Sequence, residues 1–389
     1  VSDFHQGGPV CTLQRLRDRP AGELADEITR QDAPARIAVI LPCHARDLHR
    51  PALARILRHL GGAHYISEVI LSVNGASSSP NAIADLPGTG RTRVLWNDSQ
   101  HLLRLLGESG IAAAARPGKG LNVWLAIGDI VARLSADVVV VHDADIENYN
   151  PEMLARLTYP VACNELGYKF AKGYYHRAAD RLYGRLTRLF FIPLLEAVIH
   201  VAGHLPLFDF LSAFRYPLSG EFSATCELLS SVSIAPGYGL ETQLLCEMFR
   251  TAGENESCQV DIGPNYEHRH HPLADERGGG LQGMCGEIAT TLLHAAEVEG
   301  VRVDERFLEA VRTAYGNAAR ESLRRYSHVA RMNGFEDISG EESAAVSLFA
   351  DALETVLNGQ RPPPLLPAWN TLHATVPDLA GRILDGRAR

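Results

Sequence analysis

The stretch VVVVHDAD, Val138 to Asp145, constrains the fold more than any other. Four valines in succession leave no polar residue for a wet face, so a strand built from them has to be covered on both sides. The run then ends in two carboxylates two residues apart. Alternation along a strand puts Asp143 and Asp145 on the same side if the strand continues. Like charges held that close are costly unless a cation sits near them. An Asp-rich turn that ends a strand explains the pattern as well as a metal site at the carboxyl end of a sheet does.

The pattern recurs upstream. Ile37 to Leu41 is a continuous apolar run stopped by Pro42, EVILSVNG is a second buried strand, and TRVLWND a third. Helices are expected from about Pro51 to Leu60, with Gly61-Gly62 as a stop, and from Leu121 to Leu134 after the turn PGKG. Strand-helix alternation of this kind gives an α/β sheet, mainly parallel, with helices on both faces. Ligands bind outside the carboxyl ends of such strands. Three polar tips fall there: Cys43 to Asp47, Asn74 to Ser77 and His142 to Asp145.

The second half is less regular. Tyr168 to His176 reads as a strand, Arg181 to Ala202 as a long helix bent by Pro193, Leu240 to Ala252 as a helix, and CQVDIG as a short strand. Helical patterns cover residues 286–298, 305–328 and 341–357, and RPPPLLP interrupts them before a polar tail. The expected division is an N-terminal segment (1–35), a nucleotide-binding α/β half (36–150), an acceptor-binding and catalytic half (151–285) and a C-terminal helical extension (286–389). The apolar faces of that extension suit either a dimer interface or the chain's own core.

The formal net charge of −9 argues against nonspecific nucleic-acid binding, which needs a basic surface. No apolar run reaches the length of a membrane span, and the start VSDFHQGGPVC carries no secretory pattern. The seven cysteines are odd in number, scattered and without a CxxC pair, as expected of reduced thiols in a cytoplasmic protein.

Several short motifs carry chemistry only in company. Lys119 in PGKG can reach a phosphate, though the P-loop spacing is absent and a solvated turn lysine explains it alone. Glu241 in GYGLET suits a helix start for dipole reasons. YEHRHHP clusters His268, His270 and His271, which reads as a surface group or as the source of one metal ligand. GRLT supplies Arg185, whose forked donors suit phosphate or carboxylate. The small residues of GEFSAT could let a substrate approach the backbone.

Taken in order, these motifs resemble the glucosyl-3-phosphoglycerate synthases and the related mannosyl-3-phosphoglycerate synthases, over roughly Arg36 to Leu273. PLSGEFSAT, APGYGLET, YEHRHHPL and GRLT carry the likeness beside PGKG and D-x-D. The resemblance implies a GT-A nucleotide-diphospho-sugar transferase fold. It also implies a metal-dependent, retaining transfer of a hexose to the 2-hydroxyl of 3-phosphoglycerate. UDP-glucose is the first choice of donor, with GDP-mannose or another nucleotide glucose next. Donor-binding residues would be Pro42, Cys43, His44, Asp47, Asn74, Lys119, Asp143 and Ala144. Asp145 and His268 would hold Mg²⁺ or Mn²⁺. Glu241, Asp145 and Tyr238 would act at the reacting sugar. Gly184, Arg185, Thr187, Ser219, Gly220 and His270 would take the acceptor.

The family often dimerises, so a homodimer is expected too. The product would feed a compatible solute or a polysaccharide precursor. The tip PCHARD departs from the family's PxxNEE, so the groups facing the nucleobase differ. Alternatives are another small acceptor such as glycerate, a non-catalytic nucleotide-sugar binder, and a metal hydrolase built on the histidines.

Overall fold

The structure, a computed structural model, describes residues 6–75, 89–111, 114–263, 265–267, 280–357, 359, 361–376, 378–379 and 381–382. Eight strands among them join in one sheet: β1 (Cys11–Leu13), β2 (Ile37–His44), β3 (Glu68–Asn74), β4 (Thr92–Trp96), β5 (Val138–Val141), β6 (Phe170–Tyr175), β7 (Phe222–Thr225) and β8 (Ser257–Gly263). Their order is β1-β8-β6-β7-β5-β2-β3-β4. β7 runs antiparallel to both β5 and β6, and the other pairings are parallel. The sheet is therefore continuous across residue 150.

The apolar runs are covered on both sides, as their lack of alternation requires. Ala38 and Ile40 of β2, with Val139 and Val141 of β5, point into one core; Ile37, Val39 and Leu41, with Val138 and Val140, point into the other. Helices α1 (Ala21–Thr29), α2 (Pro51–Gly62) and α5 (Pro151–Ala162) pack on the second core. The first lies beneath α3 (Gln100–Glu108), α4 (Lys119–Arg133), α6 (Ile192–Ala202), α7 (Pro206–Ala213), α8 (Cys226–Ser231) and α9 (Leu240–Thr251). The C-terminal helices α10 (Gly280–Val298), α11 (Glu305–Met332), α12 (Ser339–Leu357) and α13 (Trp369–Thr375) join that same core. Val311, Tyr315 and Ala319 of α11 are buried there, and the Tyr315 hydroxyl donates to the Leu189 carbonyl oxygen at 3.0 Å. The extension thus spends much of its apolar face within its own chain. No helix among the described residues is long and apolar enough to cross a membrane, and all seven cysteines are free.

Two sequence expectations change. The helix anticipated from Arg181 begins later, with a π-helical turn over Leu186–Phe191 followed by α6. Pro193 falls in the first turn of α6, directly after that π-helical turn and with Phe191 already helical, so its missing N–H and ring interrupt the regular hydrogen-bond pattern at this junction. The irregularity lies in the wide turn before it, a form common at functional sites. Among the described residues, the segment from Leu366 onward packs on the rest of the chain and is not a polar tail. Leu366 bridges to Ile234, and the fully buried Trp369 stacks on Trp124 at 4.3 Å. The two indoles are also tied by backbone: Trp124 Nε1–H donates to the Pro367 carbonyl oxygen at 2.8 Å and Trp369 Nε1–H to that of Trp124 at 2.9 Å. This strap clamps α4, the helix that begins at Lys119.

Candidate active site

The sheet directs the carboxyl ends of β2, β3, β5 and β6 to one edge, and antiparallel β7 starts at that same edge. A cavity of about 850 Å³ opens there. Its wall includes Pro42, Cys43, His44 and Asp47 after β2, Asn74 ending β3, Lys119, and Asp143, Ala144 and Asp145 after β5. It also includes Gly184, Arg185, Thr187, Gly220, Tyr238 and Glu241, so most of the sequence-expected site converges. Ser219 does not line it. That residue is fully buried, and its hydroxyl donates to the Gly173 carbonyl oxygen at 2.6 Å, which makes it a brace between β6 and β7. His268 and His270 lie outside the described residues.

Lys119 is the hub of the floor. Its Nζ lies 2.5 Å from Asp143 Oδ1 and 3.0 Å from Glu241 Oε1. Two glycines permit this. A Cβ on Gly120 would collide with the Ala235 carbonyl oxygen, so only glycine lets the PGKG turn settle against the loop before α9. The Leu121 N–H then donates to the Pro236 carbonyl oxygen at 3.1 Å. A Cβ on Gly220 would stand 2.5 Å from Asp143 Oδ2 and strike Lys119 Nζ. The small residues of GEFSAT thus leave room for the ion cluster itself.

Burial alone would lower the Lys119 ammonium, but Asp143, Glu241 and Glu221 outweigh it and hold the pKa above its ordinary value. Asp145 also lines the cavity and makes no ion pair of its own among the described residues. Burial, then the Asp143 carboxylate, pushes it up to about 6. A carboxyl that ionises reluctantly beside another carboxylate is a position where an added cation is welcome.

Sequence reasoning passed over Glu221. It is fully buried, Oε2 accepts from the Tyr175 hydroxyl at 2.8 Å, and Oε1 accepts from the Tyr266 hydroxyl and from the Asp143 N–H at 3.4 Å. The two tyrosine rings stack at 3.8 Å. Burial first, then Asp143, raises its pKa to about 7. The Tyr266 contact also fixes the segment that leads to His268. Glu267 accepts a backbone hydrogen bond from the Glu147 N–H at 2.7 Å and donates its own N–H to Asn148 Oδ1 at 3.0 Å. The residue before His268 is therefore tethered two positions beyond Asp145.

Below the floor, the side chain of Lys172 is buried and donates to the Ser219 carbonyl oxygen at 2.7 Å. Burial pushes it down to about 8, against the pull of Glu241. At the β2–β3 end, Asn122 Nδ2 donates to the Cys43 carbonyl oxygen at 3.3 Å, and Asn97 Nδ2 donates to Asn122 Oδ1 and Ser72 Oγ at 2.8 Å each. In the amide orientation that satisfies both of its groups, Asn74 donates to Cys43 O and accepts from Gly118 N, each at 3.3 Å. These buried bonds hold the Pro42–His44 tip rigid.

Part of the lining is cationic. Arg177, Arg181 and Arg185 all line it. Their spacing of four residues was the available signal, and only Arg185 was singled out. Leu281, Met284 and Ile288 of α10 also line the cavity. Glu287 of the same helix accepts from the Tyr238 N–H at 2.6 Å. Residues after 280 thus shape the site, which their helical pattern alone did not announce.

No protein-family model matches the chain. It is 32% identical over 394 residues to a glucosyl-3-phosphoglycerate synthase of Persephonella marina, covering 99% of this chain and 98% of that one. It is 30% identical over 365 residues to the same enzyme of Methanococcoides burtonii, covering 90% and 88%. Among solved structures, it superposes on the glucosyl-3-phosphoglycerate synthase of Mycobacterium tuberculosis in complex with Mn²⁺, UDP-glucose and phosphoglyceric acid. The TM-score is 0.56 at 28% identity, over 75% of this chain and 89% of that one. The same enzyme with Mn²⁺, UDP and glucosyl-3-phosphoglycerate matches with a TM-score of 0.56, over 74% and 88%. The mixed, mostly parallel sheet is thus a GT-A fold. With near full-length coverage at this identity, the chain belongs to the glucosyl-3-phosphoglycerate synthase family of glycosyltransferases.

Proposed function

We propose that the protein transfers glucose from UDP-glucose to the 2-hydroxyl of 3-phosphoglycerate, with retention at the sugar carbon and dependence on Mg²⁺ or Mn²⁺. The observation that carries this reading is one cavity whose lining holds two chemically distinct sets of groups. One is the Asp143–Lys119–Glu241 cluster with Asp145, and the other is Arg177, Arg181 and Arg185. The donor needs a site for its diphosphate and a cation. The acceptor brings a phosphate and a carboxylate, which guanidinium groups bind. The solved relative binds both substrates with Mn²⁺.

Among the described residues no three His, Cys, Asp or Glu side chains form a metal cluster. Asp145 still fits a hard divalent cation, because its carboxylate faces the cavity and resists ionising beside Asp143. Asp145 and His268 would hold the ion, His268 following the tethered Glu267. Bound there, it would neutralise the charge on the leaving diphosphate. Pro42, Cys43 and Asn74 form the rigid tip for the nucleoside, with His44 and Asp47 beside it. Lys119 fixes Asp143 toward the donor and orients Glu241 at the reacting sugar, with Tyr238 on the rim.

Gly184, Arg185 and Thr187 take the acceptor phosphate. Glu241 Oε1 is already engaged by Lys119 at 3.0 Å, which blunts it as a nucleophile. The acceptor hydroxyl therefore attacks on the face the diphosphate leaves, and a leaving-group oxygen takes its proton. The sugar passes through an oxocarbenium-like state.

A donor–acceptor matrix tests this: UDP-, ADP- and GDP-glucose and GDP-mannose against 3-phosphoglycerate and glycerate, with the product anomer read by NMR. The expected result is an α-linked product from UDP-glucose and 3-phosphoglycerate. Product with glycerate alone, or an inverted anomer, overturns the reading.

A further inference from the structure

The cationic wall is not left open to solvent. Glu341, in the first turn of α12, places Oε2 at 2.6 Å from Arg185 Nη2 and Oε1 at 3.6 Å from Arg181 Nη1. One carboxylate is thereby held between two guanidinium groups that line the cavity, although Glu341 itself does not line it. The neighbouring Glu342 does something different. It pairs with Arg188 at 2.6 Å, both side chains are over nine-tenths buried, and the Arg188 guanidinium lies 4.6 Å over the Tyr326 ring. That pair anchors α12. The Glu341 side chain is 54% exposed, and an exposed pair of this kind contributes little to stability. The 333–338 connection is fixed without Glu341 by the Glu336 N–H on the Asp180 carbonyl oxygen at 3.0 Å, and Arg181 also pairs with Glu336 at 2.6 Å and with Asp180 at 3.2 Å. Losing the Glu341 contact would therefore leave α12 in place.

We infer that Glu341 is a specificity-determining residue, an internal anion that competes with the acceptor's phosphate for Arg185 and Arg181. This rests on the acceptor site proposed above. A dianionic phosphate offers more charge and more acceptor oxygens than one carboxylate, so it displaces Glu341. A weakly anionic or neutral polyol does not, and finds the arginines occupied. The residue costs affinity for the right acceptor and gains discrimination against wrong ones.

The test is steady-state kinetics of E341Q and E341A, with calorimetry of inorganic phosphate binding. Both variants are expected to lower the KM for 3-phosphoglycerate about threefold to tenfold, to tighten phosphate binding likewise, and to leave the donor KM unmoved. Turnover of glycerate, relative to 3-phosphoglycerate, should rise. An acceptor KM equal to or above the parent's overturns the inference. So does an equal fall in E354Q, an exposed carboxylate of the same helix that pairs with Arg312, which would mean a general charge effect. R185Q separates the two levels: if its acceptor KM does not rise, the acceptor site lies elsewhere and the underlying reading fails. If it rises while E341Q is unchanged, only the present inference fails.

Discussion

Lys119 Nζ lies 2.5 Å from Asp143 Oδ1, which ties the turn before α4 to the end of β5. The same ammonium reaches Glu241 at 3.0 Å, so one cation holds two carboxylates that would otherwise repel. Replacing it by methionine leaves both without their counter-charge. K119M should lower kcat by about 10²-fold or more, the scale seen when one preorganised electrostatic group is removed from a site. K119R should recover little, because the cleft that Gly220 leaves is shaped for a compact ammonium. Kinetics beside a circular-dichroism check of folding decides it, and a K119M enzyme of parental kcat refutes it.

The two aspartates of D-x-D should separate. D145A is expected to show no turnover above background at any Mg²⁺ or Mn²⁺ concentration. D143A should chiefly raise the donor KM, because its carboxylate is already engaged by Lys119. EDTA should silence the parent enzyme and either metal should restore it. Measuring Mn²⁺ binding by electron paramagnetic resonance in both variants gives the readout apart from activity: lost in D145A, retained in D143A.

Glu221 should leave a mark on the pH dependence of stability. Its carboxyl is raised from its ordinary value of 4.5 to about 7, chiefly by burial. The folded state therefore holds this proton more tightly than the unfolded chain does. Its contribution is fully present below pH 4.5 and is lost as pH rises through about 7. E221Q should lack that slope. In thermal melts between pH 4.5 and 7, parent and variant should converge toward high pH, with the parent relatively stronger at the acid end. Parallel curves would mean that Glu221 is ionised throughout.

The C-terminal strap should be worth a substantial part of the total stability. Trp369 is fully buried against Trp124, and its ring fills the space where a Cβ on Gly128 would fall. W369A should cost about 3–5 kcal/mol in denaturant melts. G128A, which adds volume at the same contact, should be destabilising by about 1–3 kcal/mol. If the strap matters for the site through α4, W369A should also raise the donor KM at temperatures below its melt.

The sequence by itself determined the layers and the edge where chemistry collects. Val138 to Val141 and Ile37 to Leu41 lack alternation, and an unbroken apolar strand can be stable only between two cores, which is how both are placed. The polar tips that stop those runs then had to fall at one sheet edge, so Asp143, Asn74 and His44 were legible as one site. Local patterning could not reveal partners brought in from distant segments. Glu221 looked like part of a small-residue turn until the antiparallel path of β7 set it against Asp143 and Tyr266. Ser219, two residues away, proved to be a brace. The arginine wall was visible as spacing, but its occupation by Glu341 depends on α12 folding back over 150 residues of chain. The role of the segment after Arg361 was hidden for the same reason, since Trp369 is buried only because α4 offers Gly128 and Trp124 on the face it meets. Periodicity reports which face of an element is apolar; which element covers that face is decided by packing across the whole chain.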